Sequence, residues 1–111
     1  MYKIKKTISI SCAHQLHLPY ESKCNNLHGH NWEIVVYCKA EKLNKNGMVI
    51  DFTHIKDKIY KPLDHKNLND VLDFETTAEN LAKWVVEQID CCYKAEIFET
   101  NSSLASYEQD N

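Results

Sequence analysis

The chain has 111 residues, of which 43% are hydrophobic and 26% charged, the composition of an ordinary globular protein with one domain over residues 1–111. Its net charge of −3 gives no basic excess for binding nucleic acid, and no stretch approaches the ~18 apolar residues of a membrane span. The basic stretch 3–6 is not followed by the continuous apolar run of a signal peptide, so we expect a cytoplasmic protein.

Two strands are predicted in the first part of the chain. Residues 3–14 alternate between apolar and polar side chains and predict a half-buried strand that ends with His14 on its apolar face. After a polar loop, residues 28–40 alternate again, and His28 and His30 begin this second strand on its apolar face. Taken singly, each histidine is more simply explained as a core or surface residue than as a metal ligand.

The predicted pairing of these strands brings the three histidines together. Consecutive strands usually pair in antiparallel fashion, which places the end of the first strand beside the start of the second. His28 and His30 flank Gly29 and leave the same face, with their Cα atoms about 7 Å apart. Three imidazoles with an open fourth position are typical of a catalytic zinc site. We therefore predict that His14, His28 and His30 bind a metal ion, the alternative being a histidine-lined pocket without metal.

The middle of the chain predicts a short strand followed by a helix. The apolar run 48–52 predicts the strand, and residues 53–61 predict the helix, which ends just before Pro62. Asp51 is better explained as the cap of this helix than as a catalytic group.

A second helix and two more strands complete the pattern. Residues 76–79 fit a capping box with Thr76 as the N-cap, and apolar positions recur with helical spacing over residues 81–89. Residues 93–100 and 104–108 alternate as strands do. The order of elements predicts an α+β fold, an antiparallel sheet with both helices on one face, whose exposed edges would favour oligomerisation.

Two polar features interrupt this pattern. Asp64 and His65 are adjacent in a polar loop, where a carboxylate raises the basicity of an imidazole and fixes its tautomer, although such a surface pair usually has no function. Glu99 ends an apolar stripe, and because a carboxylate is costly to bury unless it is paired, it is a candidate acceptor for a ligand.

The five cysteines match neither a zinc ribbon nor a disulfide framework. Cys12 and Cys38 fall within the predicted strands, where a small buried residue is the simplest interpretation. Cys91 and Cys92 form a vicinal pair that we interpret as structural, redox chemistry being the alternative.

Together these residues resemble the motifs of the 6-pyruvoyl-tetrahydropterin synthase family over nearly the whole chain. The matching motifs are His14, Cys24-x-x-x-His28-Gly29-His30, residues 63–70, residues 77–80 and Phe98-Glu99-Thr100. Three residues between Cys24 and His28 suit the branch that forms 6-carboxy-5,6,7,8-tetrahydropterin in queuosine biosynthesis. A folate-pathway branch places a glutamate near the thiol position, and residues 24–27 contain none.

The resemblance implies a T-fold subunit, an antiparallel four-stranded sheet with two helices packed on one face. It implies a homo-hexamer of two stacked trimers with active sites between subunits. The implied lyase reaction converts 7,8-dihydroneopterin triphosphate to 6-carboxy-5,6,7,8-tetrahydropterin with release of acetaldehyde and triphosphate. The implied site consists of zinc on His14, His28 and His30, a catalytic set of Cys24, Asp64 and His65, and a pterin anchor at Glu99.

The residue types suit this chemistry. Zinc would act as a Lewis acid on the substrate's side-chain oxygens. Cys24, its thiolate favoured by the metal and by His65, would act as a general base, and Asp64 would orient His65. Lys23 is a candidate for binding the triphosphate and Thr77, at a helix N-terminus, for holding the ligand, the alternatives being a solvated lysine and a helix cap.

Two other functions stay open. One is a different reaction of the same family, either formation of 6-pyruvoyl-tetrahydropterin or cleavage of dihydroneopterin triphosphate toward folate. The other is a non-catalytic zinc- or pterin-binding module. Cys24 argues against the module, because a bare binding site needs no thiol beside its ligands.

Overall fold

Four antiparallel strands form one sheet in the order β1-β2-β3-β4. The computed structural model describes residues 1–110, and its strands are β1 (Tyr2–His14), β2 (His28–Ala40), β3 (Cys92–Thr100) and β4 (Ser103–Glu108). Each strand agrees with a predicted strand to within one residue at either end. Alternation of apolar and polar residues was therefore a sufficient guide to the sheet.

Three helices lie between β2 and β3 along the chain: α1 (Phe52–Leu63), α2 (Leu68–Val71) and α3 (Ala78–Glu87). Every second residue of the strands faces α1 and α3, and this inner face is buried along β2, β3 and the second half of β1. The core includes Ile8, Ile10, Ile34, Val36, Ile55, Ile59, Leu81 and Val85. The predicted fold class, an antiparallel four-stranded sheet with two main helices on one face, is confirmed.

The predicted short strand at residues 48–52 is wrong. The segment bends instead, Val49 and Ile50 pack against the core, and Phe52 begins α1. A short apolar run has no periodicity that distinguishes a strand from another buried segment. The predicted cap is confirmed, because the Asp51 carboxylate accepts a hydrogen bond from the Thr53 amide at 2.8 Å.

Two helix boundaries also differ from prediction. Pro62 lies inside α1, whose last residue, Leu63, is fully buried. The free energy gained by packing Leu63 in the core thus exceeds the cost of the backbone hydrogen bond that Pro62 cannot donate. The N-cap of α3 is Thr77 and not the predicted Thr76. The Thr77 hydroxyl accepts a hydrogen bond from the Asn80 amide at 3.2 Å. Thr76 is fully buried and is not available as a cap.

The segment after α1 was predicted as a loop and contains the short helix α2. Asn67 caps it through a hydrogen bond from the Asn69 amide to the Asn67 side-chain oxygen at 3.0 Å. In the described part of the chain, no helix combines the length and apolar character needed to cross a membrane.

Candidate metal centre and active site

Three histidine rings meet at one end of the sheet. His14 and His28 are direct partners in the ladder between β1 and β2, and His30 is the partner of Cys12. The ring centroid of His14 lies 4.5 Å from that of His28 and 5.3 Å from that of His30, and the His28 and His30 centroids are 4.8 Å apart. The predicted strand pairing therefore does gather the rings, while their role as metal ligands stays a prediction.

Backbone carbonyl groups fix the tautomers of two of these rings. The Nδ1 atom of His14 lies 2.8 Å from the Thr76 carbonyl oxygen, and that of His28 lies 2.6 Å from the Asn26 carbonyl oxygen. Because a carbonyl oxygen only accepts hydrogen bonds, Nδ1 carries the proton in both rings. The lone pair is then on Nε2, the arrangement by which a second contact orients a histidine ligand.

Glu99 adds a carboxylate to the cluster. Its Oε1 atom lies 3.3 Å from Nε2 of His30, and one ligand atom from each of the three histidines and Glu99 lies within 4.8 Å of the others. Among the described residues, Nε2 of His14 is buried without a hydrogen-bond partner, and Nε2 of His30 is buried near the Glu99 carboxylate but without the geometry of a hydrogen bond. Buried polar atoms normally have partners, so this donor set fits a divalent cation such as zinc.

Burial sets the charge of the histidines. It lowers the pKa of His14, an effect to which the neighbouring His28 adds and which the Thr76 carbonyl opposes. Burial likewise lowers the pKa of His30, against the raising influence of Glu99. Both rings are therefore neutral at pH 7, and neutral imidazole is the form that binds metal ions.

Trp32 closes the inner side of the cluster. It is fully buried, and its ring lies edge-on to His14 and His30, with centroids 4.9 Å and 5.2 Å away. An apolar wall of this kind restricts the rings to few orientations.

Cys24 lies in a 3₁₀ turn, Lys23–Asn25, just before β2. Its carbonyl accepts a hydrogen bond at 2.7 Å from the amide of Leu16, which follows β1. The turn is thus tied to both strands near the point where His14 and His28 meet. The Cys24 side chain is half-buried, and in the described chain it is not among the four residues of the metal cluster.

Asp64 and His65 lie along the free edge of β1. The Asp64 carboxylate accepts a hydrogen bond from the Ser11 amide at 3.0 Å, and the His65 amide donates to the Ser11 carbonyl at 2.7 Å. The bond from Ser11 and a second from Tyr60 lower the pKa of Asp64, which is therefore ionised at pH 7.

His65 points away from the body of the chain. Its φ of 57° lies in the left-handed region, which is uncommon for a residue other than glycine, and its side chain is 78% exposed. Its Nδ1 atom lies 3.6 Å from Oδ2 of Asp64.

His65 lies at the free edge of the sheet, beside a groove of about 480 Å³. The groove is lined by Ser11, Ala13 and Asn31, which belong to the outer face, and also by His30 of the histidine cluster. In the described chain, neither Asp64 nor His65 is among the four residues of that cluster.

Besides Glu99, two residues were predicted to bind the ligand, and they differ in environment. Lys23 is exposed in the turn that carries Cys24. The Thr77 hydroxyl is already engaged as the cap of α3. The sequence interpretation missed the contacts of Thr76 and Asn26 with the histidines, because a carbonyl group leaves no signal in a sequence.

This chain is similar, over most of its length, to proteins of known family. A family model described as 6-pyruvoyl tetrahydropterin synthase matches residues 3–110. The chain is 35% identical to a 6-carboxy-5,6,7,8-tetrahydropterin synthase of Synechocystis sp. over 121 residues, which cover 96% of this chain and 93% of that protein. It is 32% identical to human 6-pyruvoyl tetrahydrobiopterin synthase over 131 residues, which cover 96% and 90% of the two chains.

A solved structure agrees with these relatives. The 6-pyruvoyl tetrahydropterin synthase of Caenorhabditis elegans superposes with a TM-score of 0.79 at 28% identity, covering 98% of this chain and 96% of that one. The four-stranded T-fold sheet is thus one that pterin synthases have. The chain belongs to the 6-pyruvoyl tetrahydropterin synthase family and is an enzyme of that family.

Proposed function

We propose that this enzyme converts 7,8-dihydroneopterin triphosphate to 6-carboxy-5,6,7,8-tetrahydropterin, releasing acetaldehyde and triphosphate, in a zinc-dependent step of queuosine biosynthesis. The observation that carries the proposal is the cluster of three histidines and Glu99, with two buried nitrogen atoms left without a hydrogen bond. The short segment between Cys24 and His28 and the similarity to the Synechocystis protein favour the carboxy product over the pyruvoyl product.

The metal-binding residues in this proposal are His14, His28 and His30. Bound zinc supplies Lewis acidity toward the oxygen atoms of the substrate side chain. Glu99 accepts hydrogen bonds from the N–H and amino groups of the pterin ring. Because the Glu99 carboxylate is partly exposed beside His30, a ring anchored there has its side chain next to the histidines.

Proton transfer falls to Cys24, Asp64 and His65. The Cys24 thiolate takes a proton from a carbon atom next to a developing carbonyl group. Asp64 holds His65 in one orientation and stabilises its protonated form, so that His65 can return a proton. Lys23 offers a positive charge to the triphosphate, and Thr77 contributes the N-terminus of α3 to the ligand.

A homo-hexamer of two stacked trimers completes the site in this proposal. Asp64 and His65 lie at the free edge of β1, beside a groove that His30 also lines, and neither belongs to the metal cluster of its own chain in the described residues. We infer that the pair from one subunit serves the cluster and Cys24 of a neighbouring subunit. The free edges of β1 and β4 offer unpaired backbone groups through which copies can associate.

Incubation with dihydroneopterin triphosphate tests the reaction directly, with the products identified by mass and acetaldehyde measured. We expect 6-carboxy-5,6,7,8-tetrahydropterin and acetaldehyde in equal amounts. A 6-pyruvoyl-tetrahydropterin product, or a folate precursor, would assign the enzyme to another branch of its family.

Two variants test the residue roles. His28→Ala should lose zinc, whereas His54→Ala, which changes an exposed histidine of α1, should keep it. Cys24→Ala should keep both zinc and fold and lose turnover. Metal analysis and the acetaldehyde assay measure these outcomes, and zinc at wild-type stoichiometry in His28→Ala would refute the ligand assignment.

A further inference from the structure

Three cysteines gather at the end of the sheet away from the histidines. Cys38 of β2 and Cys92 of β3 are direct partners in the ladder, and both are buried on the inner face. The Cys91 carbonyl accepts a hydrogen bond from the Lys39 amide at 3.0 Å, which places Cys91 against the same end of β2. The sequence interpretation treated Cys38 separately from the vicinal pair, and the register of β2 with β3 joins them.

The geometry of Cys38 and Cys92 suits a disulfide. Paired residues of an antiparallel ladder have Cα atoms about 4.5–5.5 Å apart. A disulfide requires Cα atoms about 4.4–6.8 Å apart, a range that includes this regular spacing. The register of the ladder shifts between Tyr37 and Cys38, so Cys38 and Cys92 pair next to a bulge. All five cysteines are free thiols in this structure.

The sulfur atoms also interact with one another. A hydrogen bond with the Cys92 thiol, together with burial, raises the pKa of Cys38, and Cys91 adds to this effect. The same hydrogen bond lowers the pKa of Cys92. The backbone geometry brings Cys38 near both members of the vicinal pair, because Cys92 is its ladder partner and Cys91 is hydrogen-bonded to Lys39, the next residue along β2.

Cys91 is the most accessible of these three thiols. It is half-buried and lines a cavity of about 370 Å³, together with Met48, Asp51 and Gln88. Cys38 and Cys92 are buried behind it. A small oxidant entering the cavity meets Cys91 first.

We propose that Cys38, Cys91 and Cys92 form a peroxide-sensitive thiol site, separate from Cys24 and independent of the proposed pterin reaction. A hydroperoxide transfers one oxygen atom to the Cys91 thiol, giving a sulfenic acid and an alcohol, or water from hydrogen peroxide. The Cys38 thiol attacks this sulfur, forming the Cys38–Cys91 disulfide and releasing water. Cys92 then displaces Cys91 by thiol–disulfide exchange, which consumes no further oxidant and leaves the disulfide between ladder partners.

Peptide mapping after mild hydrogen peroxide treatment tests the site in the wild-type protein. Cleavage after glutamate separates Cys38, in residues 34–41, from Cys24 and places the vicinal pair in residues 88–96. With free thiols blocked before digestion, we expect these two peptides to be joined, with two thiols lost per chain. Dithiothreitol should restore both thiols. Oxidation confined to Cys24, or a disulfide between chains, would overturn the proposal.

Single-cysteine variants separate the roles of the three thiols. Cys38→Ala should abolish the joined peptides and leave a sulfenic acid on Cys91 that reacts with a dimedone reagent. Cys91→Ala should slow disulfide formation at least tenfold, and Cys92→Ala should stop at the Cys38–Cys91 bond. Cys12→Ala, which removes a buried thiol of β1, should behave as wild type. Disulfide formation at the wild-type rate in Cys91→Ala would overturn the entry step, and circular dichroism confirms that each variant is folded.

Discussion

Asn69 clamps the chain immediately after His14, and we predict that removing its side chain destabilises the protein. Its Oδ1 atom accepts a hydrogen bond from the Gln15 amide at 2.8 Å, and its Nδ2 atom donates to the Gln15 carbonyl at 2.9 Å. Asn69 belongs to α2, so this pair of bonds joins α2 to the end of β1.

The size of the effect follows from the two bonds. Each contributes about 1 kcal/mol net, and a buried amide left without a partner costs about 1–3 kcal/mol. Because Gln15 is partly buried, Asn69→Ala should lower the free energy of unfolding by about 2 kcal/mol. At a typical urea m-value of about 2 kcal/mol/M, the unfolding midpoint falls by about 1 M. Asn69→Asp keeps the acceptor but places a carboxylate oxygen against the Gln15 carbonyl oxygen, so it should lower the midpoint at least as much as Asn69→Ala.

Urea unfolding followed by circular dichroism measures this change. Protein and zinc concentrations must be the same for every variant, because ligand binding and assembly also stabilise the folded state. Asn46→Ala, at an exposed turn position, is the matched control and should stay within about 0.5 kcal/mol of wild type. Equal midpoints for Asn69→Ala and Asn46→Ala would refute the clamp.

Two further predictions concern pH and helix capping. Zinc-free protein should lose stability as the pH falls below about 6.5, because burial lowers the folded-state pKa of His14 and His30 and the unfolded chain therefore binds protons first. The loss should level off once the folded rings are protonated, and urea midpoints that rise on acidification would contradict it. Thr77→Ala should cost about 1 kcal/mol of stability through loss of the bond from the Asn80 amide. Thermal unfolding should show that Thr77→Ser recovers most of this, and an unchanged Tm in Thr77→Ala would refute the cap.

The strands that carry the site could be predicted because the site histidines follow the same apolar–polar alternation as the rest of each strand. His14, His28 and His30 occupy positions in the same alternating series as the apolar core residues. The rule that consecutive strands pair in antiparallel fashion then fixed which ends meet. The position of Glu99 beside the histidines could have been found by the same reasoning, since it follows Ile97 on the inner face of β3, the partner strand of β2.

The features that could not be predicted from the sequence are determined by contacts between segments that are distant along the chain. Thr76 has the better local capping pattern, but its carbonyl oxygen and hydroxyl lie against the His14 ring, so capping falls to Thr77. The last turn of α1 continues past Pro62 because Leu63 packs into the core. The placement of His65 beside the free edge of β1 depends on hydrogen bonds to Ser11 that no local pattern records.

The pleat of β2 determines which face of the sheet the side chains at both of its ends occupy. His30 lies near one end and Cys38 near the other, and both face the helices because they are an even number of positions apart along the strand. A single residue inserted between them would turn one group outward while the other stayed inside, since side chains alternate with a period of two. Two inserted residues would keep both facing the helices and only move them about 7 Å farther apart. Insertion of two residues in β2 should therefore destabilise the protein less than insertion of one, except where a bulge takes up the extra residue, as one does in β3 beside Cys38.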